Sequence, residues 1–302
     1  MGRTDVSFVS AGIRCAAWLY LPPNSDSDVA CVVMTHGFGL TRVDGLARYA
    51  EALTQAGAAV LVYDSRYLGD SEGEPRQRIR VAEQRADRFA AIAFARTLDG
   101  IDPNKIFVWG YSLSGGTAIE AAAADQRVAG AILLCPFADG RWRSNRSMRT
   151  QPRNTLWALS RAINDARIPA SAEPGHRGAL TFPGEFDGFR SVVAPGWRNE
   201  VHAAIALPLP FWRPVALARK LHCPMLIQAG LRDISVSARA IDQLAHRAPR
   251  VVLKRYDTDH FQPFHQDHQT QVIADQMDWL RATIDPLASP TSVPDSEPVR
   301  DV

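Results

Sequence analysis

Short, uninterrupted apolar runs recur along this chain, and segments with helical spacing separate them. Apolar runs occupy residues 29–34, 58–63 and 105–109, whereas residues 46–56 and 76–98 carry amphipathic helical patterns. A short apolar run that ends at glycine or polar residues is typical of a strand buried on both faces of a parallel sheet. The alternation therefore predicts an α/β fold with right-handed crossovers between parallel strands.

The same alternation continues in both directions from these three strands. Alternating apolar and polar residues near the N-terminus predict an antiparallel hairpin, with Val6 and Phe8 on one strand. The remaining predicted elements are a helix over 117–124, strands over 130–135, 224–229 and 250–256, and a closing helix over 269–283. Together they predict one mostly parallel central sheet flanked by helices.

An irregular segment interrupts the alternation between residues 137 and 214. It is rich in Pro, Gly, Trp and Arg and is too long for a connecting loop in a compact domain. We therefore predict an inserted cap over 137–214 and a core built from 1–136 and 215–284. Residues 285–302 are rich in Pro, Ser and Asp, and we predict a disordered tail there.

Composition excludes several classes of protein. Net charge is +2, so the chain lacks the single-signed field that nucleic-acid binding favours. The sequence has neither the pattern of a secretory signal nor an apolar run of 18 residues, so we expect no membrane partner. The four cysteines form no C-x-x-C pair, which indicates neither a zinc site nor a disulfide framework and fits a reducing, cytoplasmic location.

The motif GYSLSGG, residues 110–116, follows a predicted strand and precedes an Ala-rich helix. A nucleophile on such a sharp turn needs small residues two positions before and after it. Gly110 and Ser114 meet this condition for Ser112, which we predict as the nucleophile. Ser114 also has small neighbours at both positions, so the register at Ser114 stays open as the alternative.

Two further chemical groups follow later strands. Asp233 lies just beyond the strand over 224–229, and His260 lies just beyond the strand over 250–256. The carboxyl ends of parallel strands meet at one edge of a sheet, so these groups should converge with Ser112. A serine hydroxyl needs a base, and the imidazole needs a carboxylate to hold its tautomer. We predict a Ser112, Asp233, His260 triad.

The sequence HGFG, residues 36–39, follows an early central strand. It fits a loop that supplies an oxyanion donor, so we predict the N–H groups of Phe38 and Leu113 as the oxyanion hole. His36 itself is interpreted as structural. Another loop, residues 64–73, is also interpreted as a structural fixture rather than as part of the site.

These motifs resemble those of the α/β-hydrolase superfamily across about residues 5 to 284. The segments SRYLGDSEGEPRQ, GYSLSGG and WRNEV more narrowly resemble a bacterial branch near the polyketide-transferase-like and Xaa-Pro dipeptidyl-peptidase-like hydrolases. The resemblance implies acyl transfer from an ester, thioester or amide without a cofactor. It supports the triad and leaves the substrate undefined.

Weaker patterns leave alternatives open. His265 and His268, together with His260, could form a metal cluster, but a solvated helix start is the favoured interpretation, and we predict no metal. Residues 141–167 contain seven arginines and one acid, Asp165. This excess of positive charge fits either a solvated cap face or an entrance for anionic substrates. Aromatic residues of the cap are interpreted mainly as cap core, with a few lining an acyl site: Trp142, Trp157, Phe182, Phe186, Phe189, Trp197, Phe211 and Trp212.

The residues together predict a carboxylesterase-like serine hydrolase that forms an acyl-enzyme on Ser112. An acyltransferase or thioesterase with the same triad is the alternative, and a non-catalytic ligand-binding protein is a third hypothesis. The expected partner is a small-molecule acyl substrate, with no nucleic acid and no membrane. A homodimer is left open by the sequence.

Overall fold

An eight-stranded sheet forms the centre of the protein in a computed structural model that describes residues 2–23 and 28–285. The ten strands are, in chain order, β1 (Arg3–Ser10), β2 (Ile13–Tyr20), β3 (Val29–Thr35), β4 (Ala59–Tyr63), β5 (Ile101–Tyr111), β6 (Val128–Leu134), β7 (Arg167–Ile168), β8 (Val201–His202), β9 (Met225–Gly230) and β10 (Val251–Tyr256). Within the sheet their order is β1-β2-β4-β3-β5-β6-β9-β10. In this eight-stranded sheet the pairs β1·β2 and β2·β4 are antiparallel and the other pairs are parallel, which confirms the predicted α/β-hydrolase fold class.

Within residues 2–23 and 28–285, eight α-helices connect these strands, lie in the irregular segment or follow the last strand. They are α1 (Ala47–Gln55), α2 (Val81–Ala95), α3 (Leu113–Ala124), α4 (Gly140–Thr150), α5 (Pro152–Ile163), α6 (Glu185–Val192), α7 (Ala238–Arg247) and α8 (Gln266–Ile284). Short 3₁₀ helices cover Ala203–Ala206, Leu209–Phe211, Pro214–Lys220 and Gln262–Phe264. None of the helices within the described residues is long and apolar enough to cross a membrane.

The central strands are apolar because helices cover both faces of the sheet. In β3 every residue from Ala30 onward is buried, and β4 is buried throughout, as the continuous apolar runs predict. Strand β10 instead alternates half-buried and exposed residues, because it lies at the edge of the sheet. Because β5, β6, β9 and β10 are parallel neighbours, the carboxyl ends of β5, β9 and β10 lie at the same edge of the sheet.

Some helix boundaries differ from the sequence pattern. Helix α2 begins at Val81 rather than near residue 76, because Arg76 donates hydrogen bonds to the carbonyls of Gly69 and Ser71 in the preceding loop. Helix α3 begins at Leu113, directly after the turn, rather than at residue 117. Helix α7, which the sequence pattern did not reveal, is capped by the Ser237 side chain.

The residues from 137 to 214, named here the cap segment, contain α4 to α6 and the small β7–β8 sheet. The two ends of the cap segment lie close together: the rings of Phe137, at its start, and Trp212, near its end, stack with 5.4 Å between their centroids. The Trp212 indole N–H also donates to Glu120 on α3 at 2.9 Å. Division into core and cap stays a prediction, as does the disordered tail, which lies beyond Asp285 and outside the described residues.

Candidate active site

Ser112 occupies a sharp turn between β5 and α3. Its backbone has φ 53° and ψ −120°, a strained conformation for a residue with a side chain. The turn also forces glycine at position 110, because a Cβ on Gly110 would lie 2.4 Å from the carbonyl oxygen of Ser114. The chain therefore pays a local conformational cost to present Ser112 at the carboxyl end of β5.

Ser114 has a different environment. Its side chain is inside the turn, where its Oγ accepts the N–H of Tyr111 at 2.9 Å and donates to the carbonyl of Thr35 at 2.8 Å. The residue is only 2% exposed. These bonds use the hydroxyl to hold the turn together, so the geometry favours the register at Ser112.

Three side chains converge beside this turn. The Oγ of Ser112 lies 2.9 Å from Nε2 of His260, and Nδ1 of His260 lies 2.6 Å from Oδ2 of Asp233. His260 and Asp233 follow β10 and β9, whose ends lie beside that of β5 across β6. The structure thus brings together all three residues predicted as a triad, with the imidazole between the hydroxyl and the carboxylate.

Neighbouring groups orient the acid and the base. The other oxygen of Asp233, Oδ1, accepts the N–H groups of Ser235 at 2.8 Å and Val236 at 3.3 Å. The Tyr111 hydroxyl donates to the carbonyl of His260 at 2.9 Å. Sequence reasoning missed both Tyr111 and Ser235. Tyr111 lies within the GYSLSGG motif, and a buried tyrosine hydroxyl needs a partner, while Ser235 is two residues after Asp233.

The two predicted oxyanion donors flank the turn. Leu113 is the first residue of α3, and the N–H groups of a first helical turn have no acceptor within the helix. Phe38 lies in the loop after β3, and its N–H has no acceptor within residues 2–23 and 28–285. Gly37 lets the two loops approach, since a Cβ there would lie 3.0 Å from the Tyr111 carbonyl oxygen.

His36 stabilises the loop after β3 through hydrogen bonds at both ring nitrogens. Its Nδ1 accepts the N–H of Gly37 at 2.8 Å, and its Nε2 donates to the carbonyl of Asp44 at 2.7 Å. Burial lowers the pKa of His36 to about 4. The ring is therefore neutral and structural.

The loop over residues 64–73 is also held by internal bonds. Asp64 is buried and pairs with Arg42, and Arg66 donates to Asp87 at 2.7 Å. The hydroxyl of Ser71 donates to the carbonyl of Asp64 at 2.7 Å. These residues fix the loop and do not line the cavity beside Ser112 within the described part of the chain.

A cavity of about 370 Å³ opens beside Ser112 and His260, and residues both inside and outside the cap segment line it. Its apolar lining comprises Phe38, Leu40, Leu113, Phe137, Met148, Ala158, Leu159, Ile168, Ala179, Leu180, Phe189, Ala203, Ile205, Ala206, Leu209, Pro210 and Phe261. Its polar lining includes Gln151 and Asn154, whose amides already donate to Thr181 and Gly178. The cavity thus offers a mainly apolar wall that also includes the Ser112 hydroxyl and the His260 imidazole.

The arginines of the cap segment do not form one uniform face. Arg141, Arg149 and Arg153 are exposed, whereas Arg143 is buried at the cavity wall and pairs with Glu185 at 2.7 Å. Arg143 is therefore not part of a solvated face, and Glu185 pairs with it at the cavity wall. Among the cap aromatics Phe189 lines the cavity, and Phe211 is 86% exposed and is not core.

Some side chains that could ligate a metal lie close together beside Ser112. Within the described residues one group brings its ligand atoms within 4.8 Å of one another, namely Cys135, Asp233 and His260. Both ring nitrogens of His260 are already engaged by Ser112 and Asp233, so this cluster fits a proton-transfer site better than a metal site. His265 instead makes a 2.7 Å hydrogen bond with Ser191.

Comparisons with known proteins identify the family and the fold. The model of the family described as "Serine aminopeptidase, S33" matches residues 26–262. The quorum-quenching protein AidA of Acinetobacter baumannii (strain MDR-ZJ06) is 33% identical over 292 residues, which cover 93% of this chain and 95% of that protein.

Two further matches carry more limited information. Polyketide transferase af380 of Aspergillus fumigatus is 33% identical over 201 residues, which cover 66% of this chain and 63% of that protein. The crystal structure of the α/β hydrolase GrgF from Penicillium sp. sh18 superposes with a TM-score of 0.80 at 21% identity, covering 94% of this chain and 99% of that chain. At that identity the structural match supports the fold alone.

Proposed function

The chain belongs to the serine aminopeptidase family of α/β hydrolases, and on that premise we propose that it cleaves carboxylic esters through an acyl-enzyme on Ser112. One observation carries the proposal. His260 lies between Ser112 and Asp233, with bonds of 2.9 and 2.6 Å, beside a mainly apolar cavity. This arrangement can activate a hydroxyl that is otherwise a weak nucleophile.

The reaction follows from the positions of these groups. Ser112 attacks the substrate carbonyl while Nε2 of His260 takes its proton, and Asp233 stabilises the resulting imidazolium. The N–H groups of Phe38 and Leu113 bind the oxyanion, a contribution of about 3 kcal/mol for each donor. His260 then protonates the leaving group. In the second step His260 takes a proton from water, which attacks the acyl-enzyme, and returns that proton to the Oγ of Ser112 as the acid is released.

The cavity lining favours an uncharged acyl group. Within the described chain no Asp or Glu lines the cavity, so no carboxylate is available for the ammonium group of an aminopeptidase substrate. Arg143 is the one arginine or lysine in that lining, and Glu185 neutralises it. We therefore expect aliphatic or aromatic acyl esters to be preferred over charged ones.

A second candidate is transfer of the acyl group to an acceptor other than water, or cleavage of a thioester. The match to a polyketide transferase favours this candidate, and the same acyl-enzyme would serve it. A purely ligand-binding role is disfavoured, because binding needs neither a strained serine nor an imidazole held at both nitrogens.

Pre-steady-state kinetics test the proposal. Nitrophenyl esters of acetate, butyrate, octanoate and charged succinate, and the matching thioesters, should give a burst of leaving group that equals the enzyme concentration. Octanoate should exceed succinate in kcat/KM. If none of these substrates is hydrolysed, the proposed function is contradicted. A rate that rises with added alcohol or thiol acceptor would favour transfer.

A further inference from the structure

A buried ion pair of the cap segment reaches the loop that carries the catalytic acid. Arg143 on α4 donates to both oxygens of Glu185 on α6, at 2.7 and 3.1 Å. The same carboxylate accepts the hydroxyl of Ser235 at 2.7 Å and the N–H of Phe182 at 2.9 Å. The two charged side chains are 6% and 1% exposed. Four donors from three parts of the chain thus surround one buried carboxylate.

Stability alone does not explain such a pair. Burial alone would raise the pKa of Glu185, but Arg143 and the hydrogen bonds hold it below its usual value, so the group stays ionised. Removing two charges from water costs about as much as their attraction returns, so apolar residues would often serve stability equally well. What the pair adds is a fixed geometry for the groups bonded to it.

Ser235 transmits that geometry to the triad. Its hydroxyl binds Glu185, and its backbone N–H donates to Oδ1 of Asp233 at 2.8 Å. The second oxygen, Oδ2, is then directed at Nδ1 of His260. Arg143 also donates to the carbonyl of Ser235 at 3.5 Å. One residue is therefore held by the cap segment through its side chain and carbonyl, and it orients the acid through its N–H.

Helix α6, which begins at Glu185, also contacts the loop that carries His260. A Cβ on Gly188 of α6 would lie 2.1 Å from the ring of Phe261, so the helix backbone packs closely beside the residue after His260. The rings of Phe189 and Phe261 lie 5.3 Å apart between centroids. Helix α6 thus touches the loops after both β9 and β10.

From these contacts we propose that Glu185 is a positioning residue, which fixes Ser235 and thereby orients Asp233 toward His260. The inference rests on the proposed function. Glu185 does not line the cavity within the described chain, whereas Arg143 and Ser235 do. Its removal therefore alters the orientation of the acid more than the binding of substrate, which lowers kcat and leaves KM nearly unchanged.

Ser235→Ala, Ser235→Thr and Glu185→Gln test the proposal, with Glu200→Gln as a control for the half-exposed cap ion pair with Arg167. Ser235→Ala and Glu185→Gln should lower kcat about tenfold or more, as expected when a group that orients a reactive residue is lost. Ser235→Thr keeps the hydroxyl and should restore most of the rate. Glu200→Gln should behave as wild type.

A second readout does not depend on turnover. The Nδ1 proton of His260, bonded to Asp233, should give a far-downfield NMR resonance that shifts in Ser235→Ala and returns in Ser235→Thr. An unmoved resonance with wild-type kcat would overturn the inference, as would a loss that threonine fails to rescue. Wild-type protein that is inactive on every acyl substrate would contradict the proposed function, while the shift of the resonance would still support the positioning role.

Discussion

His260 and Ser112 are 148 residues apart in the sequence, yet Nε2 of one lies 2.9 Å from Oγ of the other. The sheet brings them together, because β5 and β10 end at the same edge. Two local devices complete the contact, namely the strained backbone of Ser112 and the bond from the Tyr111 hydroxyl to the His260 carbonyl.

Replacing the acid should remove tautomer control without removing the fold. In Asp233→Asn the amide cannot stabilise the imidazolium, so kcat should fall on the order of 10⁴-fold, as for the serine-protease triad. Steady-state kinetics with a nitrophenyl ester measure this. Asp257→Asn, in the same region but exposed, is the matched control. Near-normal turnover in Asp233→Asn would place the acid elsewhere.

The cavity should set the length of the acyl chain. Ala158 on α5 lines the cavity, whereas Ser160 lies on the exposed side of the same helix. Ala158→Leu should lower kcat/KM for octanoate esters by about tenfold, since overpacking costs about 1–3 kcal/mol, and should spare acetate esters. Ser160→Leu should change neither. Equal losses for both esters in Ala158→Leu would mean that the acyl chain binds elsewhere.

His36 should make the fold sensitive to acid. Its pKa is about 4 in the folded protein because burial disfavours the cation, against about 6.5 for an unperturbed histidine. The stability contributed by the neutral ring is therefore complete above pH 6.5 and is lost as pH falls from 6.5 toward 4. The loss is on the order of 3 kcal/mol.

Denaturant unfolding between pH 7 and pH 4 measures this contribution. His36→Asn should be less stable at pH 7 but should lose less stability on acidification than wild type. His246→Asn, on the exposed side of α7, should keep the wild-type pH dependence. Parallel curves for wild type and His36→Asn would show that His36 is not the group responsible.

The sequence predicts most of the sheet because apolar runs report burial on both faces directly. Residues 29–34 and 58–63 correspond to β3 and β4, with a shift of one residue at one end of each strand. Helix α7 was not predicted, although Ala240, Ile241 and Leu244 have helical spacing and are buried.

The candidate site divides in the same way. Ser112, Asp233 and His260 are predictable because each follows a strand, and strand ends converge; their catalytic role stays a prediction. Glu185 and Arg143 are not predictable, since their partnership joins α6 to α4 across 42 residues of irregular sequence. Periodicity carries no signal for such a contact, which depends on how the cap segment packs.

The most direct test of the account is the site of covalent labelling by a fluorophosphonate, which reacts with an activated serine hydroxyl. Wild type and Ser114→Ala should be labelled, with the added mass on the peptide that contains Ser112, although Ser114→Ala should be less stable because it loses the bonds to Tyr111 and Thr35. Ser112→Ala should not be labelled and should lose nearly all turnover. Labelling that persists in Ser112→Ala and disappears in folded Ser114→Ala would contradict the account.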